Sequence, residues 1–258
     1  MLIMAYSLLY WLIVIPIIYF SVYILRYLIL SFGALGLTFL MSRNRKIQSS
    51  REFTKPQILR ELRHSLIASV PLTLIVSIVY ILGVYSLNKL YFNISDYSLI
   101  WFLGQIIVLM LILDFWFYVI HRIMHTKLVY RIVHKTHHLS TDPSPFASDS
   151  VHPFEAIFDA IFIVLISLIL PLHPLAIFIF VNISAIWSTI GHLGYEIFPR
   201  AFTGSIFGKY LNFATVHNQH HKLFLYNFGY YTTIWDRIFD TLHPETDELI
   251  KIKSSSNY

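Results

Sequence analysis

The chain contains no cysteine. That absence removes disulfide frameworks, thiolate metal sites and cysteine nucleophiles together, and it leaves the redox compartment unreadable. Charge is the second scarcity: charged residues fill 13% of 258 positions and apolar residues 56%, whereas a soluble domain carries about a quarter charged. So few charges exclude an ordinary water-facing globular surface. No glycine-rich nucleotide fingerprint and no cytochrome-like segment occur, so electrons for any redox chemistry come from elsewhere. HExxH is absent too, which argues against a zinc hydrolase of that type. The formal charge is only +5, and its cations lie in short loops beside apolar runs. They read as membrane-topology signals rather than as a nucleic-acid face.

What the chain does have is long apolar runs. Residues 1–41 are interrupted only by Pro16 and Arg26, too long for a signal peptide and suited to a retained anchor. At about 20 residues per crossing, one long tilted helix and a helical hairpin both fit. The polar stretch 42–63 holds Arg43, Arg45, Lys46, Arg51, Lys55, Arg60 and Arg63 against Glu52 and Glu61, which assigns it to the cytoplasm. Runs 66–87 and 98–120 follow, separated by Asn88 to Tyr97 on the far side. Arg122, Lys127, Arg131 and Lys135 then mark the cytoplasmic face again. Residues 156–190 break at Pro171, His173 and Pro174, as in a hairpin returning to its starting side. The rest, mixed in polarity, reads as a cytoplasmic cap with a disordered Lys/Ser/Asn tail. The expected architecture is therefore all-α: membrane helices and a basic loop in 1–97, a catalytic unit in 98–245, and a polar tail in 246–258.

Thirteen histidines stand out against this background. His121 and His125 lie four apart in HRIMH, and HKTHH (His134, His137, His138) and HNQHH (His217, His220, His221) repeat an i, i+3, i+4 spacing. Such spacing puts imidazoles on one helix face. The expected topology brings all eight, together with His192, to one side of the membrane. Packing so many chargeable rings without a common partner would leave mutual repulsion or unpaired nitrogens at a low-dielectric boundary. Nine imidazoles exceed the six ligands of an octahedral ion and the four of structural zinc, so two metals are implied. Imidazole suits iron, copper, nickel and zinc alike. Iron fits a membrane site that uses dioxygen on a lipid, while zinc could fill the same ligands without redox activity. Isolated His64, His173 and His243 read as packed or interfacial side chains.

The order HRIMH, HKTHH, HNQHH, with eight residues between His125 and His134, resembles the fatty acid hydroxylase and sterol desaturase superfamily. DFWFYVIHRIMH, PSPFASDSVHPFEA, HLGYEIFP and HNQHHKLFLYNFGYYTTIWDRIFDTLHP look like the corresponding segments of sterol C-5 desaturases and their bacterial relatives. The likeness covers roughly residues 100–245. It implies a di-iron centre under a cytoplasmic cap that uses O2 to hydroxylate or desaturate a C–H bond of a sterol or fatty-acyl-type lipid. It also implies an external electron donor of cytochrome b5, ferredoxin or reductase type. The membrane would be the inner membrane of a bacterium or the endoplasmic reticulum of a eukaryote.

Hydroxylase relatives have a second histidine near the position of His192, where this chain has Glu196, leaving Glu196 as a ligand, a base beside one, or a solvated group. Metal-bound histidines donate their other ring N–H to a carboxylate or carbonyl, which makes Asp114, Glu155 and Asp236 candidate acceptors. His152 either binds metal or orients its loop. A membrane metal transporter using the same clusters is the rival reading, but the spanning runs hold little beyond Asp114, Gln105 and Arg26 to line a path. A bis-histidine haem would need facing ligands within the bilayer instead.

Overall fold

Capping chemistry sets where the long helices start. In a computed structural model, which describes residues 2–48 and 53–255 with side chains for 11–48 and 53–251, α2 (Lys55–Val84) begins where Thr54 accepts the Gln57 N–H at 3.3 Å. α3 (Leu99–Met124) begins where Ser98 accepts from Trp101 at 3.2 Å. Two histidines cap the hairpin that follows: His152 Nδ1 accepts the Phe154 N–H ahead of α5 (Pro153–Ile169), and His173 Nδ1 accepts the Leu175 N–H ahead of α6 (Pro174–Gly191). Each helix opens on a proline, whose missing N–H costs nothing at that position.

α1 (Leu2–Leu40) runs 39 residues straight through Pro16, so the first apolar stretch is one helix and not a hairpin. At 1.5 Å per residue it is about 58 Å long, well beyond a hydrocarbon core of about 30 Å. Four described helices are long and apolar enough to cross a membrane: Trp11–Leu40 of α1, then α2, α3 and α6. Seventeen-residue α5 runs to the far end and α6 returns from it, as in the expected hairpin, but α5 packs chiefly on α2 and α6 on α3. The basic stretch is shorter than expected, because Thr54 and Pro56 start α2 inside it; Arg51 and Glu52 lie outside the described residues.

The turns at the two ends separate cleanly. Lys89 N–H donates to Ser167 O at 2.8 Å and Tyr91 N–H to Leu172 O at 3.0 Å, joining the α2–α3 turn to the α5–α6 turn. Gln105 locks that end, donating to Tyr91 Oη at 2.9 Å and accepting the His173 N–H at 2.9 Å. Above it Val79, Leu109, Phe162, Ile163, Ile166 and Phe180 form the bundle core. The other end carries the cap: α4 (Lys127–Val129) continued by a π turn to His134, then α7 (Arg200–Thr203), α8 (Ala214–Leu223), α9 (Ile234–Ile238) and α10 (Thr246–Ser255). α10 runs into the Lys/Ser/Asn stretch expected to be disordered, of which residues 256–258 lie outside the described residues. Thr246 Oγ1 donates to Gln219 at 2.6 Å, Asp247 pairs with Arg237, and Ile250 is buried, so the polar tail packs back on the third histidine box. Among the described residues there is no strand, only isolated bridges.

Candidate metal centre

Nine imidazoles meet at the cap end and sort into two groups. His121, His125, His134, His138 and His220 offer nitrogens that all lie within 4.8 Å of one another, and so do those of His137, His192, His217 and His221. We call them the five-ring and four-ring pockets. The sorting crosses the boxes. HKTHH sends its first and last rings to the five-ring pocket and its middle ring, His137, to the other. HNQHH does the reverse, giving His217 and His221 to the four-ring pocket and His220 to the five-ring one. Rings at i and i+4 share a side of the helix, and the ring at i+3 swings about 60° off it, so each box bridges both pockets. HKTHH is not regular α-helix: a π turn ends at His134 and a 3-10 turn holds His137 and His138.

The ring nitrogens are arranged for metal. Nδ1–H of His121 donates to Phe228 O at 2.9 Å, that of His134 to Glu155 at 2.8 Å and that of His220 to Tyr226 O at 2.6 Å. In the four-ring pocket, His192 Nδ1–H donates to Ser188 O at 2.7 Å and His221 Nδ1–H to Ser140 O at 3.0 Å. Carbonyl and carboxylate oxygens only accept, so these neutral rings carry their hydrogen on Nδ1 and a bare lone pair on Nε2. Yet the bare Nε2 atoms face each other: His121 to His134 at 3.1 Å, and His221 to His192 at 3.2 Å. Two lone pairs at that distance repel unless a cation lies between them. Around an ion with bonds of about 2.1 Å, neighbouring ligands stand about 3.0–3.4 Å apart, and the Nε2 separations of 3.1–3.4 Å match. The residues fit two metal ions.

Burial favours the ligand form of the rings. Desolvation, reinforced by neighbouring imidazoles, holds His125, His134, His137, His138, His217 and His221 well below the usual histidine range. Desolvation likewise brings His192 and His220 down to about 4. Gly191 admits the His217 ring, because a Cβ there would stand 3.2 Å from its Cδ2.

The expected carboxylates divide by what they touch. Glu155 receives a ring N–H directly, from His134. Asp236 acts one peptide away: it accepts the Phe228 and Gly229 N–H groups at 2.8 Å each, and the Phe228 carbonyl holds His121. Burial raises Asp236 to about 6 against those bonds. Asp114 is a correction. Its partners are the N–H groups of Tyr231 and Thr232, Thr232 Oγ1 and Trp235 Nε1. It faces the same way as His121, but two turns, about 10 Å, along the axis, so it ties the cap to α3 instead of meeting a ring. Glu196 is neither solvated nor among the grouped nitrogens: it is buried and caps α8 through the Thr215 N–H and Oγ1. His152 stands outside both pockets as a helix cap.

The sequence reading missed three supports from the N-terminal segment. Glu61 on α2 is fully buried and accepts Ser140 Oγ at 2.6 Å and Ser144 Oγ, fixing the loop whose Ser140 carbonyl orients His221. Gln48 donates to Pro143 O at 2.9 Å and Asn218 Oδ1 at 3.3 Å. Arg45 reaches the carbonyls of Ile197 and Phe198. A signal was available for Glu61: it heads a buried polar stripe, Ser65, Ser69, Thr73 and Ser77, at every fourth position of an otherwise apolar helix.

A cavity of about 520 Å3 opens below the pockets, its apolar walls drawn from α1, α2, α3, α5 and α6 and its upper end formed by rings of both groups, among them His121, His134, His137 and His192.

Comparison with known proteins agrees with this geometry. The fatty acid hydroxylase family model matches residues 106–241. Lathosterol oxidase of Rattus norvegicus is 30% identical over 227 residues, 85% of this chain and 73% of that protein. Its Homo sapiens counterpart is 30% identical over 215 residues, covering 81% and 69%. A Delta(7)-sterol 5(6)-desaturase of Leptosphaeria maculans is 31% identical over 221 residues, covering 84% and 59%. No solved structure matches the chain. With three histidine boxes folded into two pockets and more than half its length matched, the chain belongs to the fatty acid hydroxylase family.

Proposed function

We propose that this enzyme, an oxidoreductase of lipid metabolism like its family, is a two-iron, O2-dependent lipid oxidase that hydroxylates or desaturates a C–H bond of a sterol or fatty-acyl-type lipid. One observation carries the reading: both groups of inward-facing Nε2 atoms border the same apolar cavity. Iron held by the nine rings would supply dioxygen reduction and removal of hydrogen from an unactivated carbon. The chain's own groups do the rest. Glu155, Phe228 O, Tyr226 O, Ser188 O and Ser140 O hold the rings in one tautomer. The apolar walls take the lipid from the bilayer and keep water from the reacting carbon. The relatives, a lathosterol oxidase and a Delta(7)-sterol 5(6)-desaturase, favour a sterol-type substrate and desaturation.

The histidine end is assigned to the cytoplasmic face because Arg43, Arg45, Lys46, Arg122, Lys127, Arg131 and Lys135 flank the helices there. This orientation suits a soluble or membrane-tethered electron donor of cytochrome b5, ferredoxin or reductase type, in a bacterial inner membrane or an endoplasmic reticulum. Residues 98–245 supply the ligands, and the earlier helices complete the cavity. The test is expression in a host lacking the gene, with iron counted per chain and lipids compared by mass. About two irons and a lipid changed by one oxygen or two hydrogens are expected. An iron-free preparation that stays fully active after chelation would overturn the reading.

A further inference from the structure

Part of the cavity wall carries charge that protein groups satisfy only in part. Arg26, within the apolar run of α1, lines it. Its Nε is buried without a hydrogen-bond partner, and no carboxylate among the described residues forms an ion pair with it. Its guanidinium carbon stands 4.9 Å from the Tyr23 ring centroid. Asp149 and Asp159 line the same cavity from the turn before α5 and from α5 itself. Asp149 accepts the Tyr23 hydroxyl at 2.8 Å, while the Asp159 carboxyl has no hydrogen-bond partner among the described residues. All three line the one cavity, and no two of them form an ion pair. They therefore face one volume from three elements without touching.

Trp116 Nε1 and Glu155 Oε2 are also buried without a partner, but the other polar side chains set deep in the bundle are bonded. Asp114 has four donors, Gln105 is bonded at both ends and Glu61 accepts two serine hydroxyls. An ionisable group in a spanning helix without a partner marks a place where a ligand supplies one.

The chemistry of the shelf selects that ligand. A guanidinium only donates, and a carboxylate only accepts. A lipid carboxylate or phosphate would meet Arg26 but stand against two acids. An ester carbonyl would accept from Arg26 and leave Asp159 unmet, and an ammonium would do the opposite. A hydroxyl accepts and donates at once. We propose that Arg26 and Asp159, with Asp149 and Tyr23, form a receptor for an uncharged hydroxyl of the lipid. Asp159 lies four residues after Glu155 on α5, about 6 Å along the axis, so the hydroxyl is held near the histidine end and fixes which carbon is presented there. The proposal rests on the lipid-oxidase reading for its substrate, but not for its test.

The test is equilibrium binding to the purified full chain in nanodiscs, metal-loaded and metal-free, using a tritiated 3β-hydroxysterol, its 3-O-methyl ether and oleate. One hydrogen bond to a charged group is worth about tenfold or more. Wild type is expected to bind the alcohol at least about tenfold more tightly than the ether or oleate. Asp159→Asn should narrow that preference to about threefold or less with ether binding unchanged, whereas Arg26→Leu should weaken alcohol and ether together by about tenfold, and neither should change metal content. Arg26→Lys, which keeps the charge but loses the fork, should fall between and serves if Arg26→Leu does not fold. Equal binding of alcohol and ether by wild type, a preference for oleate, an Asp159→Asn chain that keeps the full preference, or an Arg26→Leu chain that binds both as tightly as wild type would overturn the proposal. Intact alcohol preference in a chain that oxidises no lipid would instead sink the oxidase reading and leave the receptor standing.

Discussion

The two pockets differ in what steadies them. In the five-ring pocket His134 donates straight to the Glu155 carboxylate, and His121 to a carbonyl whose own peptide is held by Asp236. In the four-ring pocket His192 and His221 lean on the neutral carbonyls of Ser188 and Ser140. Charge reaches that pocket indirectly, through Glu61 by way of the Ser140 hydroxyl and through Glu196 at the start of α8. Every support of the first pocket lies within the family-matched residues 106–241, whereas Glu61 and Gln48 of the second come from before them. A carboxylate behind a ring raises its basicity as a ligand. The family segment thus carries all nine rings, yet the N-terminal helices steady one of the two pockets.

Removing a ring from each pocket should have the largest effect. His138→Ala and His192→Ala are each expected to leave about one metal per chain in place of two, and to lower activity beyond the 10–100-fold typical of lost supporting partners. Metal counting and turnover check this together. If either variant loses both metals, the pockets are one cooperative site and the comparison fails.

Graded chelation tests the ranking itself. The four-ring pocket should empty first, and Glu155→Gln should weaken the five-ring pocket by about 10–100-fold, erasing or reversing the order. Glu61→Gln, acting through Ser140, should weaken the four-ring pocket by about tenfold or less while leaving the other unchanged. Chelation curves with equal midpoints in wild type would end the distinction.

Acid should act on both pockets once metal is gone. Burial holds His192 and His220 at about 4, while unfolded histidine titrates near 6.5. Between those values the unfolded chain binds more protons, so the metal-free protein loses stability as pH falls from about 6.5 toward 4, by a few kcal/mol per ring at most. The melting temperature should drop steeply between pH 7 and 5, and His192→Asn should flatten the slope. A melting temperature constant over that range would contradict the burial assigned to these rings.

Much of this was legible beforehand because its signals are local. Apolar run lengths gave the helices, the repeated HxxHH spacing gave six of the nine converging rings, and HRIMH and the topology gave the other three. What was not legible depends on relations between segments. Whether 1–41 folds back is decided by Pro16 sitting within a continuous helix, and the fate of the tail by Gln219 and Arg237 waiting for Thr246 and Asp247. Asp114 had the right helical phase but the wrong height. Glu196 looked like a ligand because it follows His192, and its partner Thr215 lies 19 residues on. Glu61 hid among the cations of a loop that is, at that point, already helix.

The smallest expected effect concerns His152, which stands at the histidine end yet belongs to neither pocket. Its Nδ1 caps α5 as His173 caps α6 at the opposite end. If capping is its whole role, His152→Ala and His173→Ala should behave alike. Each should cost about 1 kcal/mol, as loss of an N-cap does, and each should leave the metals and their order of release untouched. His173 Nε2–H also donates to Phe92 O at 3.1 Å, so its loss should be the slightly larger. Denaturant midpoints measure the first expectation and metal counting the second. A His152→Ala chain short of one metal would add a tenth ring to the centre. The pocket that lost its ion would then show whether His152 makes the supports of the two pockets more alike or more different.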